Sequence, residues 1–230
     1  MKRCIALVVA RLGSTRLPGK VLKRAGGVPL LDFPVRAAQA SGAFDDIIVA
    51  TTERSADDAI ESWSSTRGLR CFRGSEMDVA HRLLEAGRFA NADAICRLNA
   101  DSPFLCSKLL AAGVTRFRNE ELDLVTNLCP KTFPYGVSLE VLKVDALATV
   151  YSNMKQSERE HAYLYSYVET LRWSYVGNDH GDQSDVRMTV DTDEDWQQFS
   201  SYLDTHYPTP IEQGGLDFRL AIQRGYGKYL

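Results

Sequence analysis

Two sets of residues in the chain could do chemistry by type and spacing. The first is a run of cations, glycines and hydroxyls, Arg11-Leu12-Gly13-Ser14-Thr15-Arg16-Leu17-Pro18-Gly19-Lys20. Glycine lets the backbone take up positive φ and approach a ligand closely, and the cations stand at fixed offsets around it. Such a loop after a buried strand suits a polyphosphate. It is neither Gly-x-x-x-x-Gly-Lys-Ser/Thr nor Gly-x-Gly-x-x-Gly, so neither fingerprint supports that reading. The plain alternative is a strand-to-helix turn with solvated charges.

The second set is a pair of carboxylates, Asp101 and Asp191, far apart in the chain but each placed after a predicted strand. Carboxylates at two strand ends can converge on one divalent cation, and Mg²⁺ takes one or two of them together with substrate phosphates. Each also has a structural reading. Asp101 suits a turn or a cap before the next helix, and Asp191 opens Asp191-Thr192-Asp193-Glu194-Asp195, where capping and the helix macrodipole favour acids anyway. Asp191-Thr192-Asp193 has in addition the D-x-D form of many glycosyltransferase metal motifs. His161, near a helix start, is a candidate general base or a structural histidine.

The elements that must position these residues follow from periodicity. Cys4 to Ala10 is a short continuous apolar run, as expected of a strand buried on both faces of a parallel sheet. A helix is predicted from Pro29 to about Ser41, a strand over Asp46–Thr52, and a helix over Ala56–Ser65 with Ser55 as N-cap. A strand over Leu69–Gly74 follows, then a helix over Asp78–Phe89 with the apolar stripe Val79, Leu83, Ala86 and Ala90. Asp93–Leu98 reads as a strand and Ser107–Arg118 as a helix. Strand and helix in alternation imply right-handed βαβ units. Further on, strands are predicted at Leu124–Asn127, Val137–Leu142, Trp173–Val176 and Val186–Val190. Helices are predicted at Val144–Tyr151, Glu158–Thr170 and Trp196–Leu203. The expected fold is one α/β domain over 1–230, Rossmann-like, with a mixed, mainly parallel sheet flanked by helices. The tail from His206 carries no chemical signal.

Composition narrows the function classes. With 230 residues, 44% hydrophobic and 25% charged, the chain can build one sizeable core. A net charge of −3 gives no basic field for nucleic acid, and the local cations fit a small anionic ligand better. Five cysteines without C-x-x-C spacing indicate neither a disulfide framework nor a zinc site. No stretch reaches the ~20 apolar residues of a membrane span, and the N-terminal run passes into the loop without a cleavage signal. A cytoplasmic protein is expected.

The run Ala10 to Lys20 matches throughout the loop signature of sugar-activating nucleotidyltransferases. It resembles the cytidylyltransferase (CMP-sugar synthetase) family, particularly its spore-coat polysaccharide F type, and is similar to acylneuraminate and 3-deoxy-manno-octulosonate cytidylyltransferases. Further segments carry the likeness: Phe72-Arg73-Gly74-Ser75-Glu76-Met77-Asp78-Val79, Arg97-Leu98-Asn99-Ala100-Asp101-Ser102-Pro103 and Val190-Asp191-Thr192-Asp193-Glu194-Asp195. Ala100 departs from the pattern, where glycine is usual. Phe133-Pro134-Tyr135-Gly136 with Glu140, and Ser157-Glu158-Arg159-Glu160-His161, resemble the sugar-side segments.

The resemblance implies transfer of CMP from CTP to a sugar acid with release of pyrophosphate. It implies nucleotide contacts from Ala10, Arg11, Gly13, Ser14, Arg16, Lys20, Arg73, Asn99 and Asp101, with Arg73 facing the cytosine and the amides of Gly13 and Ser14 beneath the phosphates. Arg11, Lys20, Asp101 and Asp191 would be the catalytic set, Asp101 and Asp191 the Mg²⁺ ligands, and Tyr135, Glu140 and His161 the sugar side. The segment 126–172 is expected to form a sugar-side excursion and a homodimer surface, since it carries Phe133, Tyr135, Tyr151, Tyr163, Tyr165 and Tyr167. A nucleotide-sugar-dependent glycosyltransferase and a catalytically silent nucleotide-binding module are the rival readings.

Overall fold

A computed structural model describes residues 1–162, 164–207 and 215–229, with backbone only for His161, Lys228 and Tyr229. Strand β1 (Cys4–Val9) is followed by the cationic loop and a small hairpin, β2 (Arg24–Ala25) and β3 (Val28–Pro29). Then come α1 (Asp32–Ser41), β4 (Asp46–Thr52), α2 (Asp58–Thr66), β5 (Arg70–Gly74), α3 (Val79–Phe89), β6 (Ala94–Asn99) and α4 (Ser107–Asn119). The second half runs β7 (Leu124–Thr126), β8 (Glu140–Lys143), α5 (Val144–Asn153), α6 (Gln156–His161) and β9 (Trp173–Tyr175). It ends with β10 (Val186–Arg187), α7 (Asp193–His206), α8 (Phe218–Gln223) and β11 (Lys228–Tyr229).

The main sheet has seven strands in the order β5-β4-β1-β6-β8-β7-β9. All pairs are parallel except those of β8, which runs against both β6 and β7. This is the expected mixed, mainly parallel sheet, and strands from the 126–172 region belong to it. The side chains of β1 show why its sequence is an unbroken apolar run. Cys4, Ala6 and Val8 enter one core cluster with α1 and α4, while Ile5 and Leu7 enter a second with α3 and α5. Both faces are covered, so no polar alternation is needed.

The reversal of β8 sets the geometry of the cleft. Chain leaving β7 arrives at the carboxyl edge of the sheet, loops over it through residues 127–139, and re-enters as β8 from that same edge. Asn127 closes this loop, donating to Val137 O at 2.9 Å and accepting the Leu139 N–H at 2.8 Å. Residues 133–136 are thereby held above the edge where β1 and β6 end.

Several expected elements differ. Ser55 is not an N-cap: Ser55–Asp57 forms a 3₁₀ turn, and α2 begins at Asp58. Asp57 occupies the cap position but turns its carboxylate to the Leu12 N–H at 2.8 Å, anchoring the cationic loop. The helix expected over Glu158–Thr170 is broken: α6 ends at His161, Ala162 after it adopts φ 47°, and a 3₁₀ segment, Leu164–Thr170, follows. The strand expected over Val186–Val190 reduces to Val186–Arg187, which pairs with β11 outside the main sheet. Of the aromatics expected at a dimer surface, Phe133 is buried against Phe218, and the Tyr151 hydroxyl bonds Asp78 at 2.9 Å. Tyr135 stands out at 53% exposure, and Tyr163 lies outside the described residues.

Candidate active site

Lys20 is the centre of the site. Gly19 adopts φ 69°, a conformation that favours glycine, and the chain turns there into the 3₁₀ turn Lys20–Leu22. This turn buries the Lys20 side chain to 9% residual exposure. Its Nζ donates to Asp101 Oδ2 and Asp191 Oδ1, both at 2.7 Å, and to Val190 O at 3.1 Å. The two carboxylates therefore converge, as their expected positions implied. They arrive by different routes, however. Asp101 follows β6 at the sheet edge, whereas Asp191 is delivered by a segment outside the sheet and held by the Val190 N–H on Asp101 O at 2.9 Å.

Neither aspartate is a helix cap. Thr192 caps α7, accepting the Asp195 N–H at 3.2 Å, and Asp195 returns bonds to the amides of Asp191 and Thr192 at 3.0 Å. The cap of α4 is Cys106, well beyond Asp101. Asp191 is gripped further by Thr189 Oγ1 at 3.0 Å, by Arg16 at 3.2 Å and by the Arg187 guanidinium. Burial opposes ionisation of Asp191, but the hydrogen bond and charge of Lys20, with Thr189 and Arg16, overcome it and lower its pKa. Burial likewise opposes the charge on Lys20, and Asp101 and Asp191 overcome it, so its pKa is raised.

A cleft of about 630 Å³ opens from this cluster. Ala10, Arg11, Gly13, Ser14, Arg16, Asn99 and Asp101, expected on the nucleotide side, line it together with Tyr135 and Glu140, expected on the sugar side. The Ser14 amide is turned away, donating to Leu12 O at 2.8 Å. Tyr135 is joined to the Asp191 segment: its N–H reaches Val186 O at 2.7 Å and its carbonyl accepts the Met188 N–H at 2.9 Å. Gly136, at φ 102°, allows that approach, because a Cβ there would lie 2.7 Å from Thr189 Cγ2. Glu140 is almost fully buried; burial raises its pKa to about 7 despite Arg97 and the Tyr165 N–H, which donates to it at 2.9 Å. The side chain of His161 lies outside the described residues.

Arg73 is the expected contact that the structure removes from the cleft. Its guanidinium is consumed by Thr52 O, Arg54 O, Asp58 and Glu61 at 2.6–2.9 Å, which pins α2 to the ends of β4 and β5. It borders a separate hollow of about 640 Å³ with Met77, His81 and Glu85, away from Lys20 and the carboxylates. The cleft instead receives Arg82 from α3. Arg82 was legible in principle, since a cation three residues after Val79 falls on the apolar face of that helix. Arg187, Thr189 and Asp57 left no such signal.

The donor set fits a Mg²⁺ ion. Asp101 and Asp191 already hold a cationic group between them, and carboxylate oxygens are the hard ligands this ion prefers. Among the described residues no cluster of three or more acidic, histidine or cysteine side chains is built to hold a metal. The remaining ligands would come from water and phosphate, which is the usual habit of this ion.

Comparison with known proteins agrees with this geometry. Residues 5–216 match the family described as cytidylyltransferase. The spore coat polysaccharide biosynthesis protein SpsF of Bacillus subtilis is 29% identical over 210 residues, covering 87% of this chain and 86% of that protein. A 3-deoxy-manno-octulosonate cytidylyltransferase of Synechococcus elongatus is 33% identical over 132 residues, spanning 56% of this chain and 52% of the relative. A solved cytidylyltransferase from Leptospira borgpetersenii superposes with a TM-score of 0.87 at 30% identity, covering 97% of this chain and 94% of that one. With its loop, its sheet and its paired carboxylates accounted for together, the chain belongs to the cytidylyltransferase family of nucleotidyltransferases.

Proposed function

We propose that the protein is a cytoplasmic, Mg²⁺-dependent enzyme that transfers CMP from CTP to a hydroxyl of a sugar acid and releases pyrophosphate. The observation that carries this reading is the convergence of Lys20, Asp101 and Asp191 at the mouth of the cationic loop. The names of two relatives support the acceptor class, one by sugar-acid substrate and one by polysaccharide synthesis.

A triphosphate brings about four negative charges, so its transfer depends on positioning and on neutralising the charge that builds on the leaving group. Arg11, Arg16 and Lys20 surround the place where that charge would form. The acceptor hydroxyl oxygen forms the new bond to the α-phosphorus and gives up its proton to solvent, while the bond to the pyrophosphate oxygen breaks. The Lys20 ammonium, freed from its carboxylates, holds the departing oxygens. Asp101 and Asp191 would hold Mg²⁺, which supplies charge neutralisation at the phosphate and a more acidic acceptor hydroxyl. Tyr135, tied by its backbone to the Asp191 segment, sets the acceptor wall at a fixed height above the carboxylates. A homodimer paired through 126–172 is part of the same proposal, with the exposed Tyr135 on its surface.

The glycosyltransferase reading has less behind it. Asp193 does not line the cleft and Thr192 is engaged as a cap, so the D-x-D supplies one cleft carboxylate. The deciding experiment incubates the protein with each of the four nucleoside triphosphates, Mg²⁺ and a panel of nonulosonic and deoxy-octulosonic acids, following pyrophosphate release. Release is expected with CTP and one acceptor class. No release from CTP with any sugar acid would sink the proposal.

A further inference from the structure

Among the described residues Arg82 is the largest side chain buried completely, at 1% exposure, and no carboxylate forms an ion pair with it. Its Nη1 donates to Ser75 O at 2.9 Å, and its Nε has no hydrogen-bond partner. Two other buried charges, Lys20 and Asp32, are each paired with opposite ones. Lys20 lies between two carboxylates, and Asp32 between Arg36 at 2.7 Å and Arg67 at 3.0 Å.

The charges around Arg82 sharpen the imbalance. Burial first, then Arg11 and Arg97, lower its pKa to about 10, which still leaves it a cation at neutral pH. The nearby acids are committed elsewhere. Asp57 holds the Leu12 N–H and the Thr52 hydroxyl, and Glu76 pairs with Arg54 at 3.0 Å and more distantly with Arg11 at 3.8 Å, so neither bonds Arg82. Glu140 faces Arg97 at the next position of the antiparallel β6–β8 register, where burial has raised its pKa to about 7. A buried cation among like charges is costly unless an opposite charge joins it. Arg11, Arg82 and Arg97 all line the cleft, so a bound ligand can bring that charge.

We infer that Arg82, flanked by Arg11 and Arg97 on the α3 wall of the cleft, forms an oxyanion subsite, separate from the Lys20 cluster, that takes one carboxylate or phosphate group of a ligand. A neutral carbonyl would accept its N–H groups but leave the charge unmatched. A carboxylate or phosphate does both, and its paired oxygens suit the guanidinium fork. The inference rests on the proposed substrates, each of which carries such a group: a phosphate on CTP, a carboxylate on the sugar acid.

The test uses the intact chain and two small probes, inorganic pyrophosphate and pyruvate, with CTP alongside, and reads binding by calorimetry. Arg82→Met keeps the apolar stem and removes the charge. It should weaken at least one small anion roughly tenfold or more. Loss of pyrophosphate alone assigns the subsite to phosphate, and loss of pyruvate alone assigns it to carboxylate. A wild-type chain that binds neither small anion overturns the inference, as does a folded Arg82→Met protein that binds both as wild type does. Loss of CTP alone also overturns it, because Arg82 would then face the base. Should Arg82→Met not fold, Arg82→Lys keeps the charge without the fork. It should bind the assigned anion about threefold or more weakly, and unchanged binding overturns the inference. None of these readouts needs turnover, so they stay distinct from a failure of pyrophosphate release.

Discussion

The two ends of the cleft bury charge in opposite ways. At the Lys20 end the pKa of the lysine is raised and that of Asp191 lowered, so both groups are driven toward their charged forms. At the other end the pKa of Arg82 is lowered and that of Glu140 raised, so both are driven toward neutrality. Burial pushes all four the same way, toward the uncharged state. Partners decide the difference. Lys20 meets two carboxylates at 2.7 Å, whereas Arg82 bonds a carbonyl, and burial with the charges of Arg11 and Arg97 outweighs those of Asp57 and Glu76 around it. The comparison separates an end whose charges the protein completes itself from one that a ligand is left to complete.

The sharpest way to break that contrast is to remove Lys20. Lys20→Ala deletes the donor on the leaving group and leaves Asp101 and Asp191 facing each other without their shared cation. Turnover should fall on the order of 1,000-fold. Stability should drop by about 3 kcal/mol or more, since a buried pair has lost one member. Pyrophosphate release and a thermal melt measure the two effects. A folded variant with turnover within a few-fold of wild type would take the loop out of the mechanism.

Asp191→Asn and Thr192→Ala sharpen the same end by separating ligand from cap. The first should lower turnover on the order of 100-fold, and the Asp101→Asn, Asp191→Asn double variant should be little worse than the poorer single one, because the two act as a unit. The second should cost about 1 kcal/mol of stability, as loss of a cap does, with a far smaller effect on turnover. Equal turnover in Asp191→Asn and Thr192→Ala would mean that the carboxylate has no chemical role.

The undercompensated end is probed through pH, with stability and not turnover as the readout. Glu140 holds its proton in the folded chain up to about 7, against an ordinary value of 4.5 for the unfolded chain. Its contribution to stability is therefore full below the lower value and is lost as pH rises through the higher one. The gap between these values, which already includes the opposing charge of Arg97, amounts to on the order of 3 kcal/mol. Glu140→Gln should lose this component, so urea unfolding at about pH 5 and pH 8 should show a smaller fall in stability than wild type. Matching profiles would show that Glu140 is ionised throughout.

Much of this architecture is written in local sequence. The unbroken apolar run of β1 requires cover on both faces, and it has it. The glycines and cations from Arg11 to Lys20 specify an anion-binding loop because backbone freedom and charge spacing are properties of neighbouring residues. Alternation of strands and helices through β6 was legible for the same reason. Elements that depend on distant contacts were not. Nothing near Arg73 announces that Thr52, Arg54, Asp58 and Glu61 will consume its guanidinium. The helix break at Ala162 coincides with Arg97 donating to its carbonyl at 3.0 Å from 65 positions away. The grip of Lys20 on Asp191 spans 171 positions, and a segment outside the sheet delivers that aspartate. Which carboxylate caps a helix and which meets a lysine is settled by where the chain returns, because an ion pair depends on distance in space and not on distance in sequence.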